Sequence, residues 1–155
     1  MFNNRYELEH ICSYNATLSP GEPIGPVAEG LRFNGYHTGG EVSGPRIRGK
    51  VRPVGGDWLT LRTDGVAVLD VRVTIETHDG ALIYAASGGY MDLGPEGYQA
   101  TLNGQLPPDG TPFRTTARFQ TGHPEYQWAN RLIYVGIGEL HLSVPEVRYD
   151  IYAVR

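Results

Sequence analysis

The run from Val66 to Thr77 places the strongest constraint on what this chain can fold into. Its side chains point alternately to two faces, which is the periodicity of a β-strand. One face carries Leu69, Val71, Val73 and Ile75, and the other carries Val68, Asp70, Arg72, Thr74 and Glu76. Asp64-Gly65 and Asp79-Gly80 bound the run, and both are signals for two-residue hairpins in type I′ turns. The sequence therefore predicts a central strand that pairs with both of its neighbours along the chain.

Composition favours sheet and argues against several kinds of partner. Ten tyrosines suit strands, and a net charge of −4 without any cluster of lysine or arginine disfavours nucleic acid and anionic membranes. Cys12 is the only cysteine, and no two histidines stand at metal-ligand spacing, so neither a disulfide, a metal site nor a cofactor is predicted. No apolar stretch has the length of a signal peptide or a membrane span, so we expect a cytoplasmic protein.

Strand-like segments occupy most of the remaining chain and predict one all-β domain over residues 1–155. They cover residues 5–14, 30–38, 46–52, 58–62, 81–91, 113–121, 132–142 and 147–154. We expect loops at the proline-rich residues 19–26, where ladder bonds are lost, and at 94–112, a length typical of a lid. Residues 123–129 are the one helical candidate. Because closure removes exposed edges, we favour a single closed or nearly closed antiparallel β-barrel of about nine or ten strands with one short helix.

Several short motifs follow one another in a definite order from Gly30 to the C-terminus. They are Gly39-Gly40, Gly44-Pro45, Gly49, Gly55-Gly56-Asp57-Trp58, Leu69-Asp70-Val71-Arg72, Asp79-Gly80-Ala81, Gly88, Tyr126-Gln127-Trp128-Ala129-Asn130-Arg131, Gly136-Ile137-Gly138 and residues 147–152. Their order and spacing resemble the DUF3237 family, also called the UPF0311 proteins. The resemblance implies an antiparallel β-barrel and carries no established general function. Ala129 departs from it, because a larger apolar residue is expected there, and the smaller side chain would enlarge a pocket beside Trp128.

The charged face of the central strand is the first candidate for a functional site. If Asp70, Arg72 and Glu76 point into the barrel, they must be paired, because an unpaired buried charge costs several kcal/mol. If they point outward, the face is solvated and the aliphatic face fills the core. The alternation leaves both arrangements open, and the resemblance favours the inward one. Asp57 and Asp70 would then offer acid–base chemistry, and Arg72 would stabilise an oxyanion.

Aromatic residues beside turns form a second candidate set, for ligand binding. Trp58 and Tyr90 follow glycine pairs in sequence, and Tyr126, Trp128 and Asn130 lie on or just after the helical candidate. The alternative is structural: Trp58 belongs to the core, Tyr126 and Trp128 plug one end of the barrel, and Asn130 caps a turn.

These residues favour a barrel that binds a small organic molecule inside or at its mouth, in a pocket lined by polar and aromatic residues. A conjugated or carboxylated ligand would suit stacking on the aromatics and a bidentate contact from Arg72. One alternative is a cofactor-independent isomerase, cyclase or lyase that uses carboxylate acid–base chemistry. Another is a structural or interaction barrel with no pocket. Whether the protein is an enzyme stays open, and the sequence is compatible with a homo-oligomer.

Overall fold

Nine antiparallel strands, one short α-helix and one 3-10 helix make up residues 2–155 in a computed structural model. They are β1 (Leu8–Leu18), β2 (Glu22–Val27), β3 (Gly30–Ser43), β4 (Gly49–Leu61), β5 (Val66–Thr77), β6 (Leu82–Asp92), α1 (Gly97–Leu102), β7 (Thr111–Gln120), the 3-10 helix (Pro124–Arg131), β8 (Ile133–His141) and β9 (Glu146–Val154). The sheet runs in the order β1-β9-β8-β7-β6-β5-β4-β3, and β1 also pairs with β3. Eight strands thus close a barrel, while β2 extends the sheet from β3. The predicted antiparallel barrel is confirmed, and neither helix is long and apolar enough to cross a membrane.

The central strand lies where the alternation predicts it, between β4 and β6, with its aliphatic face inward. Its buried residues are Ala67, Leu69, Val71, Val73, Ile75 and Thr77. The charged side chains of Asp70 and Arg72 point outward and are 53% and 40% exposed. The inward arrangement that the resemblance favoured is therefore wrong. Turning this strand over would bury three charges and expose an aliphatic row, so hydrophobic burial and charge desolvation both favour the observed face.

Both predicted hairpins are present, but the predicted type I′ turns are wrong. Gly65 and Gly80 have φ of 86° and 88°, whereas no other residue type in 2–155 has a positive φ, so Asp64 and Asp79 do not meet the type I′ requirement. Each glycine N–H donates to the carbonyl three residues earlier, at 3.0 and 2.9 Å. These are three-residue loops with a left-handed glycine at the last position, which is another common hairpin geometry.

Several other segments differ from the prediction, and β3, for one, continues beyond residue 38 to Ser43. Residues 19–26, expected to be a loop, contain part of β2, which tolerates Pro23 and Pro26 because it is an edge strand with one paired side. The two strands predicted at 46–52 and 58–62 are one strand, β4, with a shift of register between Val51 and Gly55. The long polar segment 94–112 holds α1, which follows Glu96 at its N-cap. It has no side-chain hydrogen bond at the cap and no charged residue within its own six residues that would have indicated a helix. The predicted helix at 123–129 is the 3-10 helix.

The barrel is filled at one end and hollow at the other. Its largest fully buried side chains, among them Ile11, Ile47, Ile75, Ile83 and Tyr134, fill the end that the 3-10 helix covers. The Tyr134 ring stacks on Phe119 with centroids 4.4 Å apart, and its hydroxyl donates to the Ala129 carbonyl at 2.9 Å. Residues of α1 and the segment after it lie at the opposite end, over the cavity described next.

Candidate ligand-binding cavity

A cavity of about 400 Å³ occupies the hollow end of the barrel. Aliphatic and aromatic residues from seven strands form most of its wall: Leu31, Phe33, Leu59, Leu61, Leu69, Val71, Met91, Phe113, Leu140 and Val147. Thr101, Leu106, Pro107, Leu142 and Pro145 also contribute to the lining, from the segments that connect the strands. Its ionisable lining groups are His37, Asp57 and Tyr149. A mostly apolar cavity with few polar groups is typical of small-molecule sites, and its presence argues against a barrel without a pocket.

The Asp57 carboxylate enters this cavity where the ladder between β4 and β5 is interrupted. The paired residues pass from Asp57↔Val71 to Thr60↔Val68 with no pair between them. In that gap the backbone N–H of Asp70 donates to Asp57 Oδ1 at 2.8 Å, so a side chain replaces a backbone acceptor. This bond engages Oδ1 of a carboxylate whose residue lines the cavity.

The surroundings of Asp57 raise its pKa from the ordinary 3.8 to about 6. Burial is the main cause, because the charged form loses hydration, and the negative charge of Asp70 adds to it. The hydrogen bond from the Asp70 amide and the charge of Arg32 act in the opposite direction and are outweighed. Asp57 therefore changes its protonation state close to neutral pH, which is the range that acid–base catalysis requires.

His37 and Tyr149 are the other ionisable groups of the cavity, and both are uncharged at neutral pH. His37 is 5% exposed, its Nδ1 has no hydrogen-bond partner within residues 2–155, and burial lowers its pKa to about 4. The Tyr149 ring stacks on Tyr14 at 4.8 Å between centroids and meets Phe113 edge-on at 4.7 Å. Burial raises the pKa of Tyr149 well above its usual value, and Tyr14 and Asp57 raise it further. The phenol is thus a permanent hydrogen-bond donor within electrostatic reach of Asp57.

Gly35 leaves free space beside Asp57. The two residues are directly paired across β3 and β4, and both line the cavity. A Cβ added at Gly35 would meet only the Phe33 ring, at 3.6 Å, which is an ordinary contact. A larger side chain would therefore extend into the cavity.

Two connecting segments at the mouth are fastened to each other by Asp109. Its Oδ1 accepts hydrogen bonds from the backbone N–H groups of Leu142 and Ser143, at 2.7 and 3.0 Å, and its Oδ2 accepts one from the Ser143 hydroxyl. These bonds lower the pKa of Asp109 to about 2, so the carboxylate stays charged at physiological pH. The segment that carries Leu106 is consequently tied to the one that carries Leu142, and both residues line the cavity.

Of the site residues predicted from sequence, Asp57 lines the cavity, whereas the charged row of β5 lies on the outer surface. Asp70 and Arg72 form an exposed ion pair with each other. Glu76 accepts contacts from Lys50 at 3.3 Å and Arg52 at 3.4 Å. The interior position predicted for these three residues is wrong, since the odd-numbered residues of β5 fill the interior.

Trp58 and Tyr90 also lie outside the cavity lining. Trp58 follows the inward-facing Asp57, so strand alternation turns it to the outer face, where its ring meets Tyr36 edge-on at 6.2 Å. Tyr90 is 59% exposed. Neither ring belongs to the cavity wall in which the sequence placed it.

The residues of the 3-10 helix lie at the filled end, and their contacts fit the structural alternative. Tyr126 donates its hydroxyl hydrogen to Asp79 Oδ1 at 3.0 Å, and the Trp128 ring lies 4.1 Å from the Arg46 guanidinium carbon. The Asn130 side chain accepts from the N–H of Thr121 and donates to its carbonyl, at 2.8 and 2.9 Å. Ala129 is fully buried, at the opposite end from the cavity.

Sequence reasoning did not identify Gly35, His37 and Tyr149. Alternation along β3 places residues 33, 35 and 37 on one face. An inward position of the apolar Phe33 therefore implies that Gly35 and His37 also face the interior. Tyr149 lies in a segment that was predicted as a strand. Only the closure of the barrel shows that these side chains and Asp57 share one cavity.

Comparison with known proteins agrees with this architecture. A model of the family described as Protein of unknown function (DUF3237) matches residues 6–154. A UPF0311 protein of Bradyrhizobium diazoefficiens is 38% identical over 150 residues, which cover 96% of each protein. The crystal structure of a beta-barrel like protein from Acinetobacter baumannii AYE matches with a TM-score of 0.83 and 30% identity over 99% of each chain. An enzyme from Penicillium herquei matches with a TM-score of 0.72 and 20% identity, covering 100% of this chain and 98% of that one, which shows a shared fold alone.

Proposed function

This chain belongs to the DUF3237 family of UPF0311 proteins, and we propose that it binds a small, largely apolar organic molecule inside its barrel. The observation that carries the proposal is the Asp57 carboxylate facing a cavity of about 400 Å³ whose wall is otherwise mostly apolar. Holding an ionisable group in such surroundings costs stability. The cost is understandable where a ligand uses the group, and perturbed carboxyls in clefts accordingly mark functional sites.

Filling the cavity tests this proposal. Nile red, a neutral apolar dye whose emission rises in apolar surroundings, should bind the wild-type protein saturably. Gly35→Val places a branched side chain beside Asp57 and should weaken dye binding by at least about tenfold, because the two cannot occupy the same space.

Gly122→Val is the matched control. Gly122 is exposed on the segment between β7 and the 3-10 helix, and an added Cβ there meets no atom within 4 Å. This variant should bind the dye as wild type does. Absence of saturable binding to the wild type, or equal affinities of the two variants, would contradict the proposed site.

A second candidate function is supported by the pKa of Asp57. A carboxyl that titrates near pH 6 beside a protonated Tyr149 has the two parts needed to move a proton. The Asp57 carboxylate would remove a proton from the ligand, and the phenol would donate a hydrogen bond to the oxyanion that develops. This is the isomerase, cyclase or lyase chemistry considered from the sequence, with Tyr149 in place of Arg72.

Deuterium exchange separates catalysis from binding. A ketone found by displacement of Nile red should gain deuterium next to its carbonyl in D₂O containing wild-type protein, at a rate that falls below about pH 6. Asp57→Asn should bind this ketone without accelerating exchange. Equal exchange with wild type and Asp57→Asn would exclude Asp57 as the base.

A further inference from the structure

The charges that face the cavity are unbalanced. No lysine or arginine lies among the cavity-lining residues of the described chain, and His37 is neutral above about pH 4. Arg32, whose charge acts on Asp57, is not a lining residue and donates to Thr60 Oγ1 at 2.9 Å, while Arg72 pairs with Asp70 on the outer surface. Asp57 is therefore an anion without a cationic partner inside the cavity.

We propose that the cavity selects organic amines, whose ammonium group pairs with Asp57 and whose apolar body fills the remaining space. The inference rests on the proposed function and names the ligand class for the same site. Buried carboxylates in proteins are normally paired with a cation, and here the protein supplies none from the cavity wall. Asp57 Oδ1 accepts from the Asp70 amide, so the ammonium N–H would donate to Oδ2.

The aromatic wall fits a cation better than an anion. Phe33, Phe113 and Tyr149 are among the lining residues, and aromatic rings attract an ammonium group. A carboxylate ligand would instead meet the negative charge of Asp57 with no guanidinium to offset it. The carboxylated ligand expected from the sequence depended on an interior Arg72, which lies outside. A neutral alcohol would hydrogen-bond to Asp57 but leave its charge uncompensated.

Three compounds with one ring system provide the test: 2-naphthylmethylamine, 2-naphthalenemethanol and 2-naphthoate. Each is titrated into the full chain by calorimetry at pH 7.5. The amine should bind at least about tenfold more tightly than the alcohol, and the carboxylate should bind most weakly.

Asp57→Asn has nearly the same shape and keeps an acceptor for the Asp70 amide. In this variant the amine should lose its advantage and bind within about threefold of the alcohol.

The pH dependence of amine binding to the wild-type protein tests the same inference even if Asp57→Asn does not fold. The groups that face Asp57 or act on it are Asp70, Arg32, His37 and Tyr149, and the pKa values of His37 and Tyr149 lie below and above the range from pH 5 to 8. Amine affinity should fall about tenfold per pH unit below about pH 6 as Asp57 takes up a proton, while alcohol affinity stays constant.

The outcomes distinguish failure of amine selection from failure of the cavity to bind any ligand. An alcohol that binds as tightly as the amine, or an amine affinity independent of pH, would overturn the amine inference and leave the proposed cavity function standing. Failure of all three compounds and of Nile red to bind would overturn both.

Discussion

Asp57→Asn should make the protein more stable at neutral pH, although it removes a partly buried hydrogen-bonding carboxylate. The pKa of Asp57 is raised from 3.8 to about 6 in the folded state. The folded state therefore binds a proton more tightly than the unfolded state. The protonated Asp57 therefore stabilises the folded protein. This contribution is fully present below about pH 4 and is lost as the pH rises through about 6. At 1.36 kcal/mol per pKa unit, the loss amounts to about 3 kcal/mol.

Urea unfolding of both proteins at intervals from pH 4 to pH 8 measures this loss directly. The free energy of unfolding of Asp57→Asn minus that of wild type should rise with pH and level off above about pH 7, with most of the 3 kcal/mol appearing in this range. Carboxyls with lowered pKa values, such as Asp79, Asp109 and Glu146, change stability in the opposite direction but are common to both proteins and cancel. A difference that does not change with pH would show that Asp57 has its ordinary pKa in the folded protein. It would contradict the burial of Asp57 in the cavity wall.

Three further measurements test other parts of the structure. Arg72→Ala should lower the free energy of unfolding by well under about 1 kcal/mol in urea melts, because its ion pair is exposed, and a loss of several kcal/mol would contradict the outward face. Gly89→Ala should cost about 1–3 kcal/mol or more in the same assay, because the added Cβ would lie 1.9 Å from the carbonyl oxygen of Arg114. Gly88→Ala, whose Cβ meets its nearest atom at 3.3 Å, should cost clearly less, and equal costs would contradict the close approach of β6 and β7. The Cys12 thiol, whose pKa burial raises to about 12, should resist Ellman's reagent at pH 8 in the folded protein and react after urea is added; rapid reaction of the folded protein would contradict its burial.

The glycine pair in β6 illustrates how far local sequence reasoning extends. A glycine pair inside a strand, such as Gly88-Gly89, indicates either a bulge or a close approach of backbones. The register of β6 with both neighbouring strands is continuous, so there is no bulge, and the close approach occurs at Gly89. The glycine indicates that a side chain would not fit at this position. Only the neighbouring strand β7 shows the reason, which is the backbone of Arg114.

Local patterns determined the all-β class, the two central hairpins and the inside-outside alternation of this protein, because each depends on residues a few positions apart. The period-two pattern of β5 defined two faces correctly but did not decide which one lies inside. Barrel closure decided it, since the aliphatic faces of eight strands must meet at one axis while Asp70 and Arg72 keep their hydration. Closure likewise brought Gly35, His37, Asp57 and Tyr149 to one cavity from three strands. It separated them from Trp128 and its neighbours, which lie at the filled end. Which side chains share a cavity depends on contacts between residues as distant in sequence as Gly35 and Tyr149, and no local period records those contacts.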